Sequence, residues 1–399
     1  MNYRVNPKNG DKLSILGYGC MRFGGNELKS FTGKVNKQKA ENMILSAIEK
    51  GVNFFDTAYI YQGSEKLLGK ILAKHGLREK VYIETKMPMI LCKSKSDFDK
   101  FFNKQLERLQ TDYIDYYLLH MLSDTKTWNT FCEWGIESWI QEKKDSGKIK
   151  QIGFSYHGPR EEFLALLEVY DWDNVLIQYS YSDENFQAGI TGLKKAAEKG
   201  IAVMIMEPLL GGRLATGLPQ AAVSRFKEAN PKMTPAQWAL KWVWNKPEVT
   251  LLLSGMNEMK QLEENVDAAK TSLPNMLTQE EINVFQDVKN IVNKAYKINC
   301  TGCNYCMPCP LGVNIPGCFT AYNTHFAISK TTAMLQYSMG TILSQKQSYA
   351  SLCNNCGKCE PLCPQHIPIA KSLKDVAKKM ENIQFKLMSF FTKFFTRKK

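Results

Sequence analysis

Long apolar runs are missing from this chain of 399 residues: no stretch reaches the 18 or so apolar residues of a membrane-spanning helix. The opening MNYRVNPKNGDK also lacks the apolar core of a signal peptide, so a cytoplasmic protein is expected. In that compartment twelve cysteines point to metal, because disulfides rarely persist there. Acidic residues are the scarcer charge, 39 against 52 Lys and Arg, leaving a formal net charge of +13. Such an excess invites a nucleic-acid reading. However, residues 371–399 hold nine Lys and Arg against two acids, so seven of the thirteen charges sit in the tail. A mildly basic body with a basic tail follows, and no nucleic-acid partner is expected. What is present is a 44% hydrophobic content and enough length for a barrel of about 250 residues with an appendage.

The cysteines are concentrated. Cys300–Pro310 reads CTGCNYCMPCP, and Cys353–Pro364 reads CNNCGKCEPLCP. The second run is the C-x2-C-x2-C-x3-C-P pattern of two-cluster ferredoxins, in which the fourth cysteine of each run ligates the other cluster. The first run is one residue shorter between Cys306 and Cys309. Crossing the ligands gives Cys300, Cys303, Cys306 and Cys363 for one [4Fe-4S] cluster, and Cys353, Cys356, Cys359 and Cys309 for the other. Paired structural zinc is the competing reading. Zinc ribbons separate their CxxC pairs more widely and have no use for four cysteines in ten residues closed by proline. Eight thiolates around two cluster cores would also remove about four positive charges, which weakens the nucleic-acid reading further.

Upstream, residues 3–15 alternate around Asn9-Gly10, a hairpin signal ahead of the main fold. Strand-like runs rich in β-branched and aromatic residues then appear at 15–20, 52–57, 81–86, 114–120, 151–155, 175–180, 201–206 and 249–254. Helix-like stretches separate them, several ending at Lys-Gly or Gly-Lys steps that stop a helix. Eight strands each followed by a helix predict a (β/α)8 TIM barrel, with its chemistry where strands end. Asp56, Lys86, His120 and Ser155 stand at the ends of the second to fifth strands, and Tyr61 follows Asp56 in the next loop. Any one of these is ordinarily a turn residue or a satisfied polar group. Four brought to one rim by independent strands are a site.

Here the chain resembles the aldo/keto reductase family over roughly residues 1–290, through FFDTAYIYQGSEKLLGKIL, ETKMP, DYIDYYLLH, IGFS, IQYS, MEPLLGGRLA and SGMNEMKQLEEN. The resemblance implies that Tyr61 is the general acid toward a carbonyl oxygen, with Asp56, Lys86 and His120 completing a tetrad. The chemistry is coherent, because a phenol with a pKa of about 10 needs a nearby ammonium to act as an acid at neutral pH. The resemblance also implies NADP or NAD as hydride source. It gives Ser155, Gln178 and Met206 to the nicotinamide end, and Ser254, Gly255, Glu264 and Asn265 to the adenosine end. Three positions depart from the family pattern: Tyr156 replaces an Asn, Met206 a stacking aromatic, and Gln261 an Arg that often meets the 2′-phosphate. His157 points toward the same rim. The Gly/Pro-rich loop 208–233 is long enough to be functional, and the aromatic loop 121–135, with Trp128, Phe131 and Trp134, is expected to shape the pocket.

The expected layout is therefore a barrel over 1–290, an α-helical ferredoxin-like [4Fe-4S] domain over 291–370, and a basic amphipathic tail over 371–399. Between Cys309 and Cys353 lie 43 residues, 310–352, including Cys318, read as a buried free thiol. In the tail, Ile383, Leu387, Phe390, Phe391, Phe394 and Phe395 fall near helical spacing among Lys and Arg, a pattern that can contact an acidic membrane surface or pack as a terminal helix. Two functions from different classes emerge. The first is a carbonyl–alcohol oxidoreductase acting on a small substrate. The second is an electron-transfer or redox-sensing protein that keeps the barrel as a binding scaffold. Hydride transfer moves two electrons together whereas a cubane cluster passes one, and no flavin fingerprint offers a splitter between them. An external carrier such as a ferredoxin or flavodoxin is accordingly an expected partner of the clusters.

Overall fold

In the computed structural model, which describes residues 1–23, 36–327, 329–342, 347–383 and 385, the chain opens with an antiparallel hairpin of β1 (Tyr3–Val5) and β2 (Lys12–Ser14). Eight parallel strands follow and close on themselves: β3 (Leu16–Gly19), β4 (Phe54–Asp56), β5 (Tyr82–Met87), β6 (Ile114–Leu119), β7 (Ile149–Tyr156), β8 (Asn174–Gln178), β9 (Ala202–Met206) and β10 (Val249–Ser254). Each pairs with the next in parallel, and β10 returns to β3 with Leu252 opposite Leu16. The (β/α)8 reading is thus correct. Strands buried on both faces read as nearly continuous apolar runs, and IDYYLL of β6 and VTLLLS of β10 are buried at every residue.

The helices of this unit are α1 (Lys37–Glu49), α2 (Ser64–Lys74), α3 (Ser96–Leu109), α4 (Thr125–Glu133), α5 (Ile136–Asp145), α6 (Arg160–Leu166) and α7 (Gly189–Glu198). α8 (Gln220–Ala229) belongs to the second unit, whereas α9 (Pro235–Trp244) and α10 (Met259–Thr271) return to the barrel. Inside the barrel, Phe54, Tyr116, Leu118, Leu176, Met204 and Leu251 form a packed core joined by Leu13 of the hairpin. Asn6 and Asp11 both hold the Tyr116 hydroxyl, at 3.0 and 2.7 Å, so the hairpin is anchored to the barrel interior. Because β2 runs straight into the start of β3, the hairpin lies at the end opposite the functional rim.

The described chain divides into two compact units: Met1–Pro208 with Gln237–Leu277, and Leu209–Ala236 with everything from Thr278 onward. The second is helical, with α11 (Gln279–Ala295), α12 (Ile315–Ala327), α13 (Lys330–Thr341) and α14 (Ile369–Met380). The connection after β9 is therefore more than a loop. Its α8 packs on α11 through Phe226 and Phe285, 5.7 Å apart, and an Arg225–Asp287 ion pair of 2.9 Å. Thr278 and Glu281 form a capping box at the start of α11.

A small core of Val313, Ile315, Phe319, Tyr337, Leu373 and Val376 holds α12–α14 together. Glu381 ties three segments of this unit, accepting 2.8 and 2.9 Å bonds from the Tyr337 hydroxyl and the Ser351 N–H. Cys318 is fully buried in that core. Lys371–Met380 of the expected tail belongs to α14, and Phe385 is buried, whereas Leu387 and the four later phenylalanines lie outside the described residues. Among the described residues, no helix is long and apolar enough to cross a membrane.

Candidate active site and cysteine cavities

The parallel strands deliver their last residues to one rim. Asp56 ends β4, Lys86 and Ser155 are the penultimate residues of β5 and β7, and His120 follows β6. Lys86 is 1% exposed; its ammonium donates to Asp56 Oδ1 and, at 2.8 Å, to the Thr57 carbonyl. Burying an ammonium is costly unless it is paired and hydrogen-bonded, and both conditions hold here. Thr57 is fixed in turn by Ser64 at 2.7 Å, and Ser64 donates to the Cys20 carbonyl at 2.9 Å. The Lys86 Nζ lies 5.3 Å from the centre of the Tyr61 ring, and the His120 ring meets Tyr61 edge-on at 6.1 Å. Burial, then Lys86 and His157, holds His120 well below the usual histidine range, so its imidazole is neutral. The four residues of the tetrad thus share one rim.

The nucleotide positions behave less uniformly. Ser155 Oγ accepts a 2.9 Å bond from the Met121 N–H, which leaves its own O–H to donate. Gln178 and Met206 end β8 and β9, and Met206 packs against the barrel core while staying half-buried. Asn265 on α10 donates to Ser254 Oγ at 3.0 Å. Gly255 follows β10, and among the described residues a side chain added there would approach only the Gly19 carbonyl, at 3.8 Å, which leaves the backbone room for a ligand. Glu264 and Asn265 lie on α10 itself. Gln261 is engaged: its carboxamide oxygen accepts from the Asn257 and Glu258 N–H groups at 2.9 and 3.2 Å, capping α10. Tyr156 packs toward α6, 4.9 Å from Phe163, with its hydroxyl on the Pro159 carbonyl. His157 is buried and pairs with Gln187 at 3.2 Å.

One expectation fails. Trp128 and Phe131 lie on α4 and pack against Trp172 and Phe98 at 5.1 and 5.7 Å, within the helix layer rather than around a pocket. Aromatic content alone cannot separate a pocket wall from helix packing. Sequence reading also passed over Glu84, a fully buried carboxyl two residues before Lys86. The inward alternation along ETK was the available signal.

In the second unit, Cys300, Cys303, Cys306 and Cys363 line one cavity together with Ile315, Phe319 and Ile369. Cys309, Cys353, Cys356 and Cys359 line another with Leu311, Leu362 and Leu373, and Cys306 borders both. Cys318 lines neither. The two cysteine runs repeat one backbone course. Positive φ occurs two and four residues after the first cysteine of each, at Gly302 (69°) and Asn304 (65°), then at Asn355 (62°) and Gly357 (74°). Only glycine and, less readily, asparagine adopt that conformation cheaply, and such turns aim backbone N–H groups inward. The Asn355 N–H already donates to Cys353 Sγ at 3.5 Å. Burial, then Cys300, Cys363 and Cys359, pushes the Cys306 thiol up to about 12, so a bound cluster must displace protons there. Apolar walls, thiol ligands and N–H donors to sulfur suit iron–sulfur clusters.

Comparisons with known proteins find two families in the chain. The Aldo/keto reductase family profile matches residues 15–290, and a 4Fe-4S dicluster domain profile matches 299–367. The chain is 30% identical to an L-galactose dehydrogenase of Arabidopsis thaliana over 313 residues, covering 71% of this chain and 93% of that protein. It is 26% identical to an NADH-specific methylglyoxal reductase of Escherichia coli over 305 residues, covering 65% and 91% of the two chains. Among solved structures, an aldo-keto reductase from Bacillus halodurans in its holo form superposes with a TM-score of 0.58 at 26% identity, covering 72% of this chain and 96% of that one. The chain belongs to the aldo/keto reductase family and carries a 4Fe-4S dicluster domain after the barrel in sequence.

Proposed function

We propose that the protein is a cytoplasmic, nicotinamide-dependent oxidoreductase that interconverts a small carbonyl and its alcohol, and that two [4Fe-4S] clusters serve electron transfer or redox sensing. The observation that carries this reading is the buried Lys86–Asp56 pair beside Tyr61, with a neutral His120 against the same ring. In the reducing direction, bound NADPH or NADH would supply the hydride. Tyr61 is the general acid: its O–H bond breaks as the carbonyl oxygen takes the proton. Lys86 stabilises the phenolate left behind, Asp56 keeps Lys86 charged and aimed, and His120 orients the substrate oxygen by donating an N–H. Ser155 and Gln178 hold the nicotinamide amide and Met206 packs on its ring; Ser254, Gly255, Glu264 and Asn265 serve the adenosine end.

Cys300, Cys303, Cys306 and Cys363 hold one cluster; Cys309, Cys353, Cys356 and Cys359 hold the other. Bound clusters supply one-electron transfer. Cys356 is the exposed ligand, which makes the second cluster the approach point for a ferredoxin or flavodoxin. The scaffold reading keeps one specific support, since Gln261 is spent on a helix cap and Tyr156 faces α6. Titrating NADPH and NADH into the anaerobically reconstituted protein separates the two readings. Binding of either, followed by carbonyl-dependent oxidation, supports the enzyme; no binding supports the scaffold.

A further inference from the structure

Glu84 sits in mid-β5, directed into the barrel between Tyr82 and Lys86, and is 0% exposed. Its backbone lies opposite Asp56 on β4 and Tyr116 on β6. Oε1 is 3.7 Å from Lys86 Nζ, longer than a formed hydrogen bond, and among the described residues neither carboxyl oxygen accepts a hydrogen bond from a donor. Glu65, almost equally buried, shows what this fold provides for an ionised carboxylate. It takes bonds of 2.7, 2.7 and 2.9 Å from Thr85, Gln105 and Arg108. Glu84 has none of that support, and Lys86 is already committed to Asp56 and Thr57.

An ionised Glu84 would enclose two carboxylates with one ammonium in a buried site. A neutral Glu84 carries one O–H, and Asp56 is the acceptor that faces it. Burial raises its pKa well above the ordinary range; Lys86 opposes this, and Asp56 adds to it. The other titratable neighbours are Tyr82 on the same strand and Tyr116 on β6. Burial first, with Asp11 adding to it, pushes both phenols upward, so each stays neutral.

We propose that Glu84 is a positioning residue of the rim site: a carboxylic acid that shares its proton with Asp56 and so leaves Lys86 a single counter-charge. This rests on reading Asp56, Tyr61, Lys86 and His120 as a carbonyl-reducing set. With one carboxylate beside it, Lys86 retains its effect on the Tyr61 phenol. When Glu84 gives its proton to solvent at alkaline pH, a second negative charge 3.7 Å from Nζ cancels that effect, and reduction stops.

Infrared spectra of the cluster-loaded full chain test this directly. The wild-type protein should show at neutral pH a carboxylic-acid C=O band that moves in D2O, vanishes in Glu84→Gln and Glu84→Leu, and shifts in Asp56→Asn. Glu84→Gln should reduce carbonyls at neutral pH within about twofold of wild type, with the alkaline limb of kcat/KM displaced upward by about one pH unit or more. A wild-type protein without that band, or a band unmoved in Asp56→Asn, overturns the shared proton. An unmoved alkaline limb overturns the positioning role. If no variant or wild type turns over any carbonyl, the functional reading fails by itself, and the band still decides the state of Glu84.

Discussion

The barrel rim and the cysteine unit handle charge in opposite ways. At the rim, Lys86 is buried already charged, with Asp56 and the Thr57 carbonyl in place around it. In the cysteine unit, burial raises the Cys306 and Cys359 thiols, so that a ligand binding there must displace protons. A pre-organised site costs stability in the empty fold and needs no rearrangement during reaction. A thiol cavity gains much of its order on metal binding. Substitutions in the two regions should therefore separate cleanly.

The largest separation is expected from Tyr61→Phe. Carbonyl reduction should fall by about 10²–10⁴-fold while iron and sulfide content stay unchanged, measured on the same preparation. A parallel loss of iron would break the comparison. Next, Lys86→Met leaves Asp56 buried without its cation, and chemical denaturation should register a loss of about 3–5 kcal/mol. A loss near zero would mean that Asp56 does not depend on Lys86.

The third effect is graded with pH. The folded pKa of Glu84 lies above its ordinary value of 4.5, so between the two the folded chain holds a proton that the unfolded chain has released. Its contribution is intact below the ordinary value and declines as pH rises through the window. Relative to Glu84→Gln, wild-type unfolding free energy should fall by up to about 1.4 kcal/mol per pH unit on that side. His120 works oppositely. Its folded pKa is depressed, so its contribution is present above the ordinary value of 6.5 and is lost as pH falls; His120→Asn should flatten the acid side of the same curve. Smallest is Gly357→Ala, which forces a side chain into a φ of 74°. A cost of about 1–2 kcal/mol should appear as easier iron loss to a chelator, with barrel unfolding unchanged.

The two regions also differed in how far they could be read beforehand. The cysteine runs are local, legible from spacing within about a dozen residues; in the fold Cys309 lines the cavity of Cys353, Cys356 and Cys359, and Cys363 that of Cys300 and Cys303. The barrel strands were legible because apolar β-branched and aromatic runs recur between helix stops. Helices α4 and α8 escaped, one within an aromatic loop and one within a Gly/Pro-rich connection. Gln261 could be seen as a departure from a family pattern, but its use as a helix cap depends on where the backbone of Asn257 and Glu258 turns.

By itself, the sequence determined the periodic alternation of strands and helices, the eight clustered thiols and the Gly/Asn turns between them, because each depends on neighbours along the chain. The tertiary structure decided the rest. It joined the connection after β9 to the cysteine unit, turned Tyr156 toward α6, and set Glu84 opposite Asp56 with no donor of its own. Protonation in a closed interior depends on which charges face each other across strands, and only the pairing of β4 with β5 brings Asp56 and Glu84 together.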